Sequence, residues 1–282
     1  MTPLNFVKMH GLGNDFILID GRETKLEEYD LKKLAIDMCD RHYGIGADGL
    51  LLVWPSTIAD VRMQIFNPDG SEAEMCGNGI RCFARYIYET AKQKKDIISV
   101  ETKAGIRVPA IIKEGDQIVG VEVDMGEPRL QRSEIPMLGE EQEHVINEEI
   151  ILSGKAYRAT CVSIGNPHCV IFTKNFKEID LLKDGPAIET LEKFPEGTNV
   201  EFARVQNQNE VEVKVWERGA GETLACGTGA CAVVVAGVLN GLLNRKATVQ
   251  LPGGSLEIEW EEDNHVCMRG PAETIFKGEY VV

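Results

Sequence analysis

Short runs of alternating or β-branched apolar residues recur along the whole chain and predict a protein built mainly of strands. In the first half they cover residues 4–9, 16–20, 50–54, 61–67, 97–103, 106–113 and 117–123. In the second half they cover 157–164, 169–173, 200–205, 211–216, 247–251, 256–260 and 266–269. Helical periodicity is scarce. Leu31, Leu34, Ala35, Met38 and Cys39 make one apolar stripe. Two more helices are expected to begin near Gly77 and Gly227. The second of these, ACAVVVAGVLNGLL, is apolar on every side and should be buried all round. A wholly buried helix among many strands predicts a sheet curled around a central helix, so the fold class is α+β.

The pattern also repeats. With Cys76 set over Cys226, CGNGIRC lies on CGTGAC, and Glu72 and Glu222 each stand four residues earlier. Asn67 ends the strand VRMQIFN where Glu217 ends VEVKVWE. Further upstream, Gly46-Ala47-Asp48 falls opposite Gly197-Thr198-Asn199, and Gly13-Asn14 opposite Gly165-Asn166. Matched landmarks in one order, offset by 150 to 152 residues, imply two copies of one domain related by a pseudo-two-fold axis. The landmarks are then expected to converge on one cleft. The acidic stretch 126–149 is the expected boundary between the copies.

Composition narrows the function. The 282 residues carry 30 Lys and Arg against 45 Asp and Glu, a net charge of −15. Such a chain repels polyphosphates and anionic lipid, so neither nucleic acid nor a membrane surface is an expected partner. The longest apolar run, 230–239, is far short of a bilayer span. No basic segment followed by an apolar block opens the chain, so a cytoplasmic location is expected. The eight cysteines include no C-x-x-C, and His10, His42, His144 and His265 show no metal-ligand spacing. Residues 44–49 fit G-x-G-x-x-G, but they follow a helix and precede a strand, the wrong order for a dinucleotide site.

The candidate chemistry lies in the two C-G-x-G sequences at helix starts. First-turn N–H groups and the helix dipole should stabilise a thiolate there and lower the cysteine pKa. The N–H groups of Gly77-Asn78 and Gly227-Thr228 could hold a carboxylate. Two matched thiols suit a racemase or epimerase, which removes a proton from one face of a carbon and returns one to the other.

HGLGNDF, FNPDGSEAEMCGNGIRC, SIGNPHC, GTNVEF and WERGAGETLACGTGAC together resemble the diaminopimelate epimerases. The related proline and hydroxyproline racemases typically carry His where Asn78 stands. The resemblance implies two similar domains, each a mainly antiparallel β-barrel around a central helix, with the C-terminal strand returning to the first. Domain boundaries of 1–126 plus 272–282 and 127–271 follow, with the active site between them. It implies epimerisation of LL- and meso-diaminopimelate, in lysine and peptidoglycan precursor synthesis, with no cofactor or metal, by a homodimer. Cys76 and Cys226 would be the acid–base pair, with His168 and Glu217 tuning them. Asn14, Asn67, Asn166 and Asn199 would be substrate amides, and Glu217 and Arg218 would receive the ammonium and the distal carboxylate. Some members carry Gln at the position of Gly49, so that contact is missing here. Two alternatives stay open on the residues alone: a racemase of a simpler amino acid such as proline, or a redox-active or zinc-holding module without catalysis.

Overall fold

A computed structural model describes residues 3–139, 144–152 and 154–281. The chain divides into two compact units, Met1–Asp124 with Gly270–Val282, and Met125–Arg269.

Unit one runs through β1 (Leu4–Gly11), β2 (Asn14–Asp20), α1 (Leu31–Cys39), β3 (Gly49–Trp54), β4 (Val61–Phe66), β5 (Glu72–Ala73) and α2 (Gly77–Thr90). Then come β6 (Val100–Thr102), β7 (Gly105–Arg107) and the hairpin β8 (Ala110–Glu114) and β9 (Gln117–Asp124). Unit two contains β10 (Glu148–Leu152), β11 (Lys155–Ser163), β12 (Pro167–Phe172), α3 (Leu181–Glu189), β13 (Asn199–Asn207), β14 (Glu210–Glu217) and β15 (Gly221–Glu222). It continues with α4 (Gly227–Leu239), β16 (Lys246–Leu251), β17 (Gly254–Trp260) and β18 (Val266–Gly270). Strand β19 (Glu273–Tyr280) belongs to unit one and pairs antiparallel with β1.

The strands follow one plan in both units. In unit one the order is β19-β1-β2-β3-β4-β6-β7, with β5 on β4; in unit two it is β10-β11-β12-β13-β14-β16-β17-β18, with β15 on β14. The pairs β2·β3 and β4·β6 are parallel, and so are β12·β13 and β14·β16. A parallel pair needs a crossover, and a helix supplies each one. α1 and α3 make the shorter crossovers. α2 and α4 make the longer ones and become the central helices. α2 packs against β1, β2, β4, β8 and β9, and α4 against β11, β12, β13, β16 and β17. The all-round apolar sequence of α4 is explained by this position, since Ala230 to Ala236 are all buried. Sequence and structure agree on two sheet-rich α+β copies with few helices.

Several elements differ from the sequence reading, the two-residue strands β5 and β15 among them. The expected strand 106–113 is two strands, β7 and β8, because Pro109 has no N–H to donate and breaks the run. β10 was not expected. α3 was not expected either, since LLKDGPAIE carries Gly185 and Pro186 at its centre. Gly185 is there for packing: a Cβ would lie 2.6 Å from the Trp216 ring. In the acidic stretch, Arg129 pairs through its backbone with Ser163, while residues 140–143 lie outside the described part. Among the described residues, no helix is long and apolar enough to cross a membrane.

Candidate active site

Cys76 and Cys226 are the N-cap residues of α2 and α4. Each has extended backbone, and each sulfur accepts the N–H of the residue three further on, Gly79 or Gly229, at 3.4 Å. The cysteine thus does the capping work usually given to Ser or Asp. The glycine lets the first turn settle onto the strands below. A Cβ at Gly79 would meet Leu51 Cδ2 at 3.4 Å, and one at Gly229 would strike Glu201 Oε1 at 2.7 Å.

In unit one, Cys76 is half-buried beside Asn14, whose Oδ1 stands 3.9 Å from the sulfur. The same oxygen accepts from Asn78 Nδ2 at 3.1 Å, while Asn14 Nδ2 donates to Asp48 at 2.8 Å. Both ends of the Asn14 amide are therefore oriented. Arg81 secures Asn78 by donating to its Oδ1 at 2.9 Å, and donates also to the carbonyls of Gly77 and Pro271. It is wholly buried inside α2. Behind Asn14, Asp15 binds Lys8 at 2.6 Å and Arg41 at 2.8 Å. Burial alone would raise the Asp15 pKa, but Arg41 and Lys8 outweigh it and hold it down at about 2. Asn67 is exposed at the turn after β4, its Nδ2 donating to Ser71.

In unit two, Cys226 is only 5% exposed, with Thr228 Oγ1 3.4 Å from the sulfur. Glu217 is half-buried and accepts from Thr223 Oγ1 at 2.5 Å. His168 and Glu201 are both 0% exposed, and His168 Nδ1 lies 2.7 Å from Glu201 Oε1. The other ring nitrogen of His168 lies 3.0 Å from Asn166 Oδ1. Asn199 is buried, its amide tied to the backbone of Pro167 and Arg218. Arg218 is exposed, and its guanidinium donates to the Glu196 carbonyl at 2.9 Å.

Of the expected site residues, Asn14, Gly77 and Asn78 gather at Cys76, with Asn67 at a neighbouring strand end. His168, Asn166, Glu217, Gly227 and Thr228 gather at Cys226, with Asn199 and Arg218 joined on the next turn. One expectation is overturned. The Cys226 thiol is not lowered by its helix; burial first, then Glu217 and Glu201, push it well above its ordinary value. Thr228 and the Gly229 N–H oppose this and lose. Burial likewise pushes the Glu217 carboxyl up, against its hydrogen bond from Thr223. The sequence reading missed Glu201 and Arg81. Glu201 had a signal, a charge set between Val200 and Phe202 in an otherwise apolar run, where a buried acid requires a partner. Among the described residues, no group of three or more His, Cys, Asp or Glu is placed to hold a metal ion.

A family model described as diaminopimelate epimerase matches residues 6–131 and 160–275. A diaminopimelate epimerase of Pelotomaculum thermopropionicum is 57% identical over 277 residues, covering 98% of this chain and 99% of that protein. One of Methanococcus maripaludis is 53% identical over 277 residues, with the same coverage. Among solved structures, a PhzF-family phenazine biosynthesis protein of Bacillus anthracis superposes with a TM-score of 0.73 at 17% identity, over 100% of both chains. A hydroxyproline epimerase of Agrobacterium vitis, with bound trans-4-hydroxy-L-proline, superposes with a TM-score of 0.70 at 13% identity, over 99% of this chain and 91% of that one. These two likenesses speak for the fold alone. By the family model, and by relatives that share more than half its residues from end to end, the chain belongs to the diaminopimelate epimerase family.

Proposed function

We propose that this chain interconverts LL- and meso-diaminopimelate by a two-base reaction in which Cys76 and Cys226 each serve as acid in one direction and base in the other. The observation that carries the reading is the pair of cysteines capping matched helices in two copies of one fold. Inversion at carbon takes one proton from one face and delivers another to the opposite face, so two acid–base groups are needed and one from each unit meets the need. The abstracted proton goes to a thiolate sulfur. The carbanion's electron pair is then closed by the proton of the other thiol, and the protonation states of the two cysteines are exchanged. Helix N-termini at both cysteines offer N–H groups and positive potential to the α-carboxylate, where charge accumulates as the proton leaves.

The remaining residues divide by chemistry. Asn14 and Asn166 bring amides beside the reacting carbon, and Asn67, Asn78 and Asn199 complete the polar lining. Glu217 serves the Cys226 thiol and an ammonium group, His168 tunes the same region, and Arg218 receives the distal carboxylate. The reaction so drawn uses no cofactor. A homodimer in the cytoplasm, with domain limits near 126 and 271, belongs to the same proposal.

A coupled assay on LL-diaminopimelate with no added cofactor is expected to show turnover. In deuterated water, early product should carry deuterium at the inverted carbon while remaining substrate stays protiated, because a thiol holds only one hydrogen and returns the atom it took. Equal deuterium in both pools from the start would instead point to a single polyprotic base or to a fast-exchanging open site.

A further inference from the structure

The floor beneath α4 holds a charge that the floor beneath α2 lacks. Glu201 is 0% exposed on β13, between the apolar Val200 and Phe202. One carboxylate oxygen meets His168 Nδ1 at 2.7 Å and lies directly under the first turn of α4, 2.7 Å from where a Cβ on Gly229 would stand. Its other oxygen is buried with no hydrogen-bond partner among the described residues. In unit one the equivalent space under Gly79 is filled by Leu51 and Ile65. The strand registers agree: Cys169 pairs with Val200 as Ile17 pairs with Leu50, which sets His168 against Phe16 and Glu201 against Leu51.

A carboxylate cannot be placed there without consequence. The positive end of α4 faces Glu201 as well as the Cys226 sulfur, so the field that would favour a thiolate is shared with a fixed negative charge. Glu217 on β14 adds a second carboxylate whose charge acts on the same thiol. The groups of unit two that face Cys226 are Glu217 on β14, Glu201 on β13, and Thr228 Oγ1 and the Gly229 N–H on α4, while His168 on β12 faces both carboxylates. Two acids set against one half of a helix dipole favour S–H.

We propose that Glu201, locked in place by His168, is a positioning residue that keeps Cys226 in its S–H form in the substrate-free protein, so that Cys226 begins as the proton donor. The use of that proton rests on the two-thiol reaction proposed above; the electrostatic role of Glu201 does not, and the two fail separately.

The test is alkylation by neutral iodoacetamide, followed for each cysteine by mass spectrometry across a pH series. In the unsubstituted protein, the Cys226 rate should still be climbing at pH values where a free cysteine, with its pKa of about 8.5, has levelled off. Levelling together with the free thiol would overturn the proposal. Glu201→Gln keeps shape and removes charge. It should speed Cys226 alkylation at mildly alkaline pH by about tenfold, the effect of one pKa unit, and leave the Cys76 rate in place. An unmoved Cys226 profile overturns the proposal, and so does equal acceleration at Cys76, which would mean loosening and not electrostatics. Thermal unfolding shows that the variant is folded. Glu201→Leu, the residue unit one uses at this place, gives an independent second variant with the same expectation. A shifted alkylation profile in a protein that does not epimerise would leave Glu201's role intact and remove the two-thiol reading.

Discussion

The first turns of α2 and α4 are the same backbone device set on opposite chemistries. Both begin at a cysteine N-cap, and both carry glycine at the third helical position. Under α2 lies an apolar floor of Leu51 and Ile65, and the buried charge is a cation in the helix itself, Arg81. Under α4 lies the Glu201–His168 pair, and the position equivalent to Arg81 is Cys231, also buried. Duplication therefore preserved what aims a sulfur and released what sets its charge. Delivery of a thiol needs an extended cap residue and a glycine that lets the helix sit down; neither depends on the sign of the charges below.

Removing either sulfur should produce the largest effect and test whether the two ends are equally indispensable. Cys76→Ala and Cys226→Ala should each lower kcat by about 10²–10⁴-fold or more in both directions, the worth of a general acid or base. Near-normal turnover in one variant, by steady-state assay from each isomer, would mean that only one end does acid–base work.

The charged floor can next be rewritten as the apolar one. His168→Phe, copying Phe16, would leave Glu201 buried without its partner and should cost about 3–5 kcal/mol in urea unfolding. Adding Glu201→Leu, copying Leu51, should recover most of that loss, because an apolar replacement of both members of a buried pair is often neutral or better. A double cycle that is merely additive would deny that the two act as a unit.

The cation of unit one should matter somewhat less. Arg81→Met removes one donor from the Asn78 amide oxygen and from the Gly77 and Pro271 carbonyls, a loss of about 1–3 kcal/mol. The urea midpoint should fall, whereas Cys231→Ala at the equivalent place should change it much less. Equal effects would mean that Arg81 is held loosely.

The smallest effects are those of pH, and here the units should respond in opposite senses. The folded pKa of Asp15 is depressed to about 2, so its contribution is complete above the ordinary 3.8 and is lost as the pH falls between these values. The Glu217 pKa is raised above 4.5, so its contribution is complete in acid and is lost as the pH rises through its folded value. Asp15→Asn should flatten the acid limb of a urea-midpoint profile. Glu217→Gln should raise the midpoint more at neutral pH than in acid. Parallel changes in the two variants would contradict this assignment of signs.

Most strands were legible where β-branched residues run between turns, though β10 escaped despite Ile150 and Ile151, and α4 was legible because it is apolar on every side. What escaped had physical reasons. Helix α3 hides behind a glycine and a proline, yet the repeat announces it, for Leu181–Glu189 is Leu31–Cys39 displaced by one period. Strand 106–113 read as continuous because Ile106, Val108, Ile111 and Ile112 all favour strands, and only the missing N–H of Pro109 divides them. At the candidate site, the caps follow from C-G-x-G, but the charge state of a thiol does not. Cys226 is governed by its burial and then by Glu217 and Glu201, which stand 9 and 25 residues away and meet it only in the fold. A helix-terminus rule applied to sequence alone carries the dipole and omits the carboxylates.

The pairing of β1 with β19 bears on how the chain is made. Leu4 lies opposite Tyr280, and Phe6 lies opposite Gly278, where a Cβ would come within 2.8 Å of the ring. On the ribosome, β2 covers one edge of β1 early, but every strand of unit two emerges before β19 can cover the other. The second unit can close on contacts that are near in sequence, while the first must hold an open edge until synthesis reaches β19. During that interval the backbone of β1 can be taken up by a neighbouring chain as readily as by its own. Translation halted before Glu273 would leave that edge exposed, a standing template for pairing between chains.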